Sequence, residues 1–188
     1  MIYIDTDIQQ IDVTALEDKL SPQRLSLMQR YRGVLSQQQC AAAYLLLCEG
    51  LRKEYGLEEK PVFEYGEHGK PFIVGHPEIH FNLSHCRRAA ICALSDQPIG
   101  VDIEEISRYR ESLVNYTMNE EEKRIINTSS HPDIAFVRFW TMKEAYLKMT
   151  GTGIHKDMRQ VLHGDENITT VVVEDKGFVY SVARPSTR

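Results

Sequence analysis

The chain has 188 residues, of which 42% are hydrophobic and 26% are charged, as in ordinary globular domains. The formal net charge of −5 argues against a general nucleic-acid-binding protein, which would carry a basic excess. No apolar run reaches the roughly 18 residues that a membrane span needs, and the opening MIYIDTDIQQ lacks the pattern of a secretory signal. The four cysteines form no C-x-x-C pair, so we expect reduced thiols in a cytoplasmic protein with no membrane or nucleic-acid partner.

The first half of the sequence predicts helices and strands in blocks. Apolar spacing indicates helical structure over 12–31, broken near Ser21 and Pro22, and Gly56 is a plausible stop for the following helix. The other predicted elements are a strand at 1–5, a long helix over 36–55 and a short strand at 61–65.

Three predicted strands follow at 79–85, 89–95 and 99–106, and their short links favour an antiparallel meander. Asn119 and Glu122 have the spacing of a capping box, and Pro132 fits the first turn of a helix that runs to about Met149. A hairpin around residues 175–177 closes the chain. The whole pattern predicts an α+β fold with a boundary near residues 96–98.

Residues 99–106, IGVDIEEI, form an apolar strand that carries acids. Side chains alternate along a strand, so Asp102 and Glu104 share a face and lie about 6–7 Å apart. Two carboxylates at this spacing can share a divalent cation, and Mg²⁺ usually takes phosphate oxygens as further ligands. Without a cation the pair would be costly to bury. A solvent-facing edge strand with ordinary acids is the alternative interpretation.

Residues 139–151, FWTMKEAYLKMTG, predict a helix in which Trp140, Glu144 and Lys148 fall near one face. Glu144 and Lys148 could form a simple surface ion pair, which would contribute little to stability. The stretch is apolar enough to be largely buried, however, so its charged side chains need partners. We therefore treat Glu144 and Lys148 as candidate site residues.

A third group lies in HFNLSHC, residues 80–86, where Ser84 shares a strand face with Asn82 and His85 could reach an anion at the strand end. Lys70 lies on a loop framed by glycine and proline, which could bring it to a phosphate. A serine hydrolase is not indicated, because the G-x-S-x-G motif is missing. A zinc site is not indicated either, because HPEIH departs from H-E-x-x-H and Pro77 is incompatible with its helix.

Four motifs, in this order, resemble those of the 4′-phosphopantetheinyl transferase family, in its long two-lobed type as in surfactin-synthetase-activating enzymes. The motifs are GKP (69–71), FNLSH (81–85), GVDIE (100–104) and WTMKEAYLK (140–148). The resemblance implies a pseudo-twofold monomer of two similar α+β lobes, 1–97 and 98–188, each with a long helix packed on a small antiparallel sheet. The active site would lie in the cleft between them. The implied activity is Mg²⁺-dependent transfer of the 4′-phosphopantetheine arm of coenzyme A to a serine of an apo carrier protein, releasing adenosine 3′,5′-bisphosphate.

The resemblance also implies roles for single residues. Asp102, Glu104 and Glu144 match metal-binding acids, and Glu144 is the candidate general base. Lys148 matches a lysine that contacts the diphosphate. The positions that match or plausibly match other contacts to coenzyme A are Lys70, Ser84, His85, Arg24 and Arg30. The sequence departs from the family pattern at Leu27 and at Gln38 or Gln39, where basic residues are expected.

Carrier proteins are acidic near the modified serine, so a docking surface with basic and apolar residues is expected. The candidates are Arg108, Arg110, Tyr116, Met118 and Lys123. Two alternative functions stay open: a Mg²⁺-dependent hydrolase of nucleotide diphosphates, and a non-catalytic module that binds coenzyme A or a carrier protein. Loss of a metal-binding acid or of Lys148 would favour the module, and none of these residues is lost.

Overall fold

The computed structural model describes residues 1–153 and 157–186. In chain order the strands are β1 (Ile2–Asp5), β2 (Phe63–Tyr65), β3 (Pro71–Ile73), β4 (His80–His85), β5 (Ala90–Ser95), β6 (Gly100–Glu105), β7 (Asn167–Val173) and β8 (Phe178–Arg184). The helices are α1 (Pro22–Gln29), α2 (Val34–Tyr55), α3 (Glu111–Thr117), α4 (Glu120–Thr128) and α5 (Pro132–Thr150). None of the helices in these two ranges combines the length and apolar character needed to cross a membrane.

Two three-stranded sheets share one topology. Their strand orders are β1-β5-β4 and β6-β8-β7, and every pairing is antiparallel. In each sheet helices follow the first strand, and the third strand of the sequence takes the centre. The long helix α2 packs on the first sheet and α5 packs on the second. The predicted α+β class, with a long helix on each small antiparallel sheet, is confirmed. The division at residue 97, the pseudo-twofold relation and the monomeric state stay predictions.

Local sequence signals set the helix ends. Gly56 and Gly151 adopt left-handed φ values of 68° and 69° and end α2 and α5, a conformation that glycine reaches without steric cost. Pro132 occupies the first turn of α5. The predicted capping box is present, because Asn119 accepts from the backbone of Glu122 and Glu122 accepts from the backbone of Asn119.

The predicted meander is wrong. β4 and β5 pair with each other, but β6 pairs with β8, with Asp102 opposite Ser181. The short link at residues 96–99 leads the chain out of the first sheet and into an edge of the second. The helical structure predicted over 12–31 is wrong before residue 21, while the predicted break at Ser21 and Pro22 is confirmed. A 3₁₀ turn covers Val13–Ala15 and α1 begins only at Pro22, because a residue before proline favours an extended backbone.

The edge strands β4 and β6 lie against each other, and side chains rather than a backbone ladder join them. The backbone N–H of Val101 donates to Asn82 Oδ1 at 2.8 Å. The backbone N–H of Ile103 donates to Ser84 Oγ at 3.3 Å. We call this junction of β4 and β6 the seam, and it places Asp102 between the two sheets.

Candidate active site

A cavity of about 570 Å³ opens at the seam, between β4, β6, α3 and α5. It brings together most of the residues that the sequence singled out. Those lining it are Ser84, His85, Asp102, Glu104, Arg108, Tyr116, Glu144 and Lys148. The alternation of β6 and the helical spacing of α5 therefore direct the acids and Lys148 to one place.

Asp102 lies at the buried end of this cavity, with only 4% of the residue exposed. Its Oδ1 accepts from Lys148 Nζ at 2.6 Å and from Ser84 Oγ at 2.9 Å. Its Oδ2 is buried and has no hydrogen-bond partner among the described residues. A buried carboxylate oxygen without a partner costs free energy, so a cation or a donor group is expected to bind there.

Lys148 is held by three groups around its ammonium. Besides Asp102, Nζ donates to Ser84 Oγ at 3.2 Å and to the carbonyl of Val101 at 3.3 Å. These bonds fix the positive charge beside the acids before any ligand binds.

The carboxyl groups of Glu104 and Glu144 have raised pKa values. Burial raises the pKa of Glu104 to about 7, and the negative charge of Asp102 acts in the same direction. Arg108 Nη1 lies 3.3 Å from Glu104 Oε1 and opposes this shift. Burial also raises the pKa of Glu144, again with help from Asp102 and against the charge of Lys148. Either carboxylate is thus more basic than in water, as a general base near neutral pH requires.

Three carboxyl groups that line one cavity are candidate ligands of a divalent cation. Within residues 1–153 and 157–186, no three His, Cys, Asp or Glu side chains are gathered closely enough to form a complete metal site. Mg²⁺, however, commonly uses only one or two carboxylates, with water and substrate phosphates as its other ligands. Asp102 Oδ2 is a free buried oxygen, and a cation would also relieve the repulsion among the three acids. The residues present therefore fit a cation that takes its remaining ligands from water and from phosphate oxygens.

Two predicted phosphate contacts, Lys70 and His85, line cavities that Lys148 also lines. Lys70 lines a smaller cavity of about 190 Å³ together with Glu144 and Lys148. Its ammonium donates to the carbonyl of Met149 at 2.7 Å, at the end of α5. His85 lies at the end of β4, where desolvation lowers its pKa and the charges of Lys148 and Arg24 lower it further. Burial and these two cations therefore favour the neutral form of His85, against the opposing charge of Asp102.

Arg24 and Arg30 do not line the seam cavity. They line a separate cavity of about 290 Å³ beside α1 and β2. Arg24 donates from Nε to the carbonyl of Cys40 at 3.2 Å and lies over the ring of Tyr44. Their assignment as contacts to coenzyme A stays a prediction.

The predicted docking residues differ in placement. Met118 is wrong as a docking residue, because it is fully buried in the core between α3, α4 and α5. Arg108 turns toward the cavity, with its guanidinium 4.3 Å from the centre of the Trp140 ring. Arg110 and Tyr116 are exposed, Tyr116 at 80%, and their role in docking stays a prediction.

Two polar residues near the site, Asn82 and Lys143, have contacts that the sequence did not predict. Asn82 joins β4 to β6 through the backbone of Val101, and its only signal was that it shares a strand face with Ser84. Lys143 is fully buried in α5 and pairs with Glu122. A lysine within an apolar helix predicts a buried partner but does not say which residue it is.

The chain is similar in sequence to known proteins, and the similarity includes the strand and the helix that carry the acids. Residues 98–183 match the family model of the 4′-phosphopantetheinyl transferase superfamily. The 4′-phosphopantetheinyl transferase Sfp of Bacillus subtilis is 27% identical over 156 residues, covering 81% of this chain and 70% of that protein. The transferase psf-1 of Bacillus pumilus is 28% identical over 145 residues, covering 76% of this chain and 62% of that protein.

A third relative, the transferase ffp of Bacillus subtilis, is 25% identical over 179 residues, covering 92% of this chain and 80% of that protein. The match to psf-1 thus spans less than two thirds of that relative's length, while the matches to Sfp and ffp span more. The matched region includes both β6 and α5, the elements that carry the acids and Lys148. The C-terminal half of the chain is therefore similar to the 4′-phosphopantetheinyl transferase superfamily, and the similarity to Sfp and ffp extends over most of the chain.

Proposed function

We propose that this protein transfers the 4′-phosphopantetheine arm of coenzyme A to a serine of an apo carrier protein and releases adenosine 3′,5′-bisphosphate. One observation carries the proposal. Buried Asp102 binds Lys148 through one oxygen and leaves the other without a partner, in a cavity that Glu144 also lines. A fixed ammonium beside a carboxylate with a free oxygen suits a diphosphate and its counter-cation better than it suits a neutral ligand.

Phosphoryl-type transfer depends mainly on positioning and on charge neutralisation. Lys148 supplies a point charge for a non-bridging oxygen of the diphosphate, and its three existing bonds keep that charge in place. Ser84 donates to Asp102 and accepts from the backbone of Ile103. The seam thereby fixes Asp102 relative to Lys148.

In this proposal Glu144 accepts the proton of the serine hydroxyl. It is 8% exposed and its pKa is raised, so its carboxylate binds a proton more readily than an exposed glutamate does. The serine oxygen forms a bond to the phosphorus that carries the pantetheine arm, and its proton passes to Glu144. The bond from that phosphorus to the bridging oxygen breaks, and its electron pair leaves with adenosine 3′,5′-bisphosphate.

Our proposal includes Mg²⁺, which Asp102 would bind through Oδ2, with Glu104 or Glu144 and phosphate oxygens as further ligands. When bound, it supplies neutralisation of the diphosphate and of the leaving group. We also propose a monomer, which is supported by the two sheets of equal topology that build the cavity within one chain. A cytoplasmic location is supported by the four cysteines, which are free thiols.

The test is mass spectrometry of an apo acyl carrier protein incubated with the protein, coenzyme A and Mg²⁺. We expect the mass of one phosphopantetheine group to be added by the wild type and not by Asp102→Ala or Glu144→Gln. Glu105→Gln is the matched control, because Glu105 follows the same acids in β6 but does not line the seam cavity. Release of 4′-phosphopantetheine without modification of any carrier would instead support a hydrolase.

A further inference from the structure

Lys143 is a buried charge that the proposed reaction does not use. It lies in the middle of α5 with no exposed surface. Its ammonium donates to Glu122 Oε2 at 2.6 Å, to the carbonyl of Thr117 at 2.9 Å and to the carbonyl of Met158 at 2.8 Å. An ammonium has three hydrogens, so each of them has an acceptor.

The three acceptors lie on three separate elements. Thr117 is the last residue of α3, Glu122 belongs to α4, and Met158 begins the 3₁₀ helix Met158–Gln160. Thr117 and Met158 both line the seam cavity that holds Glu144. One ammonium therefore ties two walls of the cavity to the helix that carries Glu144.

Stability alone is a weak reason for this arrangement. A buried ion pair can often be replaced by apolar side chains without loss of stability. Glu122 already has a partner, since the same oxygen accepts from the backbone of Asn119 at 2.8 Å. What an apolar side chain could not replace is the pair of directed bonds from Lys143 to the carbonyls of Thr117 and Met158.

We propose that Lys143 is a positioning residue, which holds Thr117 and Met158 in place as walls of the seam cavity. The acids and Lys148 supply the polar lining of that cavity, and apolar side chains supply much of the rest. These include Leu83, Leu113, Tyr116, Trp140 and Met158. If Thr117 and Met158 were free to move, the cavity would fit the carrier and the pantetheine arm less well. The residues predicted to contact the phosphates would stay in place. The effect on rate rests on the proposed function, but the effect on wall position does not.

The chain contains its own reporter of wall position. Trp140 is its only tryptophan and lines the same cavity. It packs against the cluster of Leu147, Met158 and Val161. The access of acrylamide to Trp140, measured as quenching of its fluorescence, therefore reports whether the Met158 wall stays in place, whatever the protein catalyses.

The test compares the double variant Lys143→Met with Glu122→Gln against Glu122→Gln alone. Methionine fills most of the space of lysine, and glutamine can keep the capping bond to Asn119 while leaving no unpaired carboxylate. In the double variant we expect the quenching constant of Trp140 to rise roughly two-fold, as local opening exposes the ring. We also expect kcat/KM for the carrier to fall at least about tenfold. The Kd of adenosine 3′,5′-bisphosphate should change less than about two-fold, because its predicted contacts are untouched.

The control, Glu122→Gln alone, keeps both carbonyl bonds of Lys143. It should lose thermal stability and keep the quenching constant and kcat/KM of the wild type. A double variant whose quenching and kcat/KM equal those of the wild type would overturn the proposal.

If the double variant does not fold, Lys143→Gln with Glu122→Gln decides, since it leaves no charge in the core and its shorter side chain cannot keep both carbonyl bonds. A quenching constant and kcat/KM equal to those of Glu122→Gln would then overturn the proposal. If the wild type itself transfers nothing, the proposed function fails, and the quenching comparison still decides the role of Lys143.

Discussion

Gly100 lies where β6 crosses α5, and replacing it with alanine should disturb both the fold and the site. A Cβ at this position would lie 2.0 Å from the carbonyl oxygen of Ala145 and 2.4 Å from the backbone nitrogen of Met149. Both are backbone atoms of α5, so neither can move by a change of rotamer. Reaching an ordinary contact of 3.4 Å requires the strand and the helix to separate by about 1.4 Å.

This separation sets the expected magnitudes for Gly100→Ala. Overpacking of this kind typically costs about 1–3 kcal/mol, and we expect the upper end because both clashing atoms belong to the backbone. The same movement draws Asp102 away from Glu144 and Lys148, which flank Ala145 on α5. A misplacement of about 1 Å can cost about 100-fold in rate, so we expect a loss of that order in kcat/KM.

Urea denaturation followed by circular dichroism measures the free energy of unfolding, and mass spectrometry of the carrier measures the transfer rate. Gly66→Ala is the matched control, because a Cβ there would meet only the carbonyl of Lys70, at 3.7 Å. Its stability should stay within about 0.5 kcal/mol of the wild type. If Gly100→Ala were as stable and as active as Gly66→Ala, the close approach of β6 to α5 would not be what positions the site.

Three further changes have defined outcomes. Burial raises the pKa of Glu104 from 4.5 to about 7, so the folded state binds this proton more tightly than the unfolded state does. Without a divalent cation, the free energy of unfolding should therefore fall as pH rises from about 4.5 to 7, by up to about 3 kcal/mol from this group. Urea titrations at the two pH values should show a smaller fall in Glu104→Gln, and an equal fall would contradict the assignment. Asn119→Ala removes the side-chain cap of α4 and should cost about 1 kcal/mol, which thermal unfolding measures; no loss would mean that the cap does not contribute. Ser84→Ala removes one bond to Asp102, and steady-state kinetics should show about a tenfold fall in kcat; a rise only in KM for coenzyme A would instead support a direct phosphate contact.

Local signals explain what could be predicted from the sequence. The ends of α2 and α5 follow from glycine and proline at defined positions, and the capping box follows from Asn119 and Glu122. The period of two in β6 predicted that Asp102 and Glu104 share a strand face. The helical spacing in α5 predicted that Glu144 and Lys148 share a helix face. Because α5 packs directly on β6, these two local predictions meet in one cavity.

The strand that pairs with β6 and the groups that bind Lys143 could not be predicted from local signals. The sequence shows that β6 is a strand, but its partner β8 lies more than 70 residues later, and nothing in its alternation identifies that partner. The acceptors of Lys143 likewise come from three distant segments. Met118 follows α3 directly, and only the packing of α3 against α5 shows that its side chain points inward.

One feature explains both why the predicted meander is wrong and where the site lies: one edge of β6 pairs with no strand in the described part of the chain. Had β6 paired with a neighbouring strand on both edges, backbones about 4.8 Å apart would have closed the sheet. Instead, β6 pairs with β8 on one edge, and on the other Asn82 and Ser84 bind its N–H groups while Lys148 binds a carbonyl. Side chains that replace a strand satisfy the backbone and still leave room for a cavity. An apolar strand can carry Asp102 here because its open edge supplies an ammonium, a hydroxyl and space for a ligand.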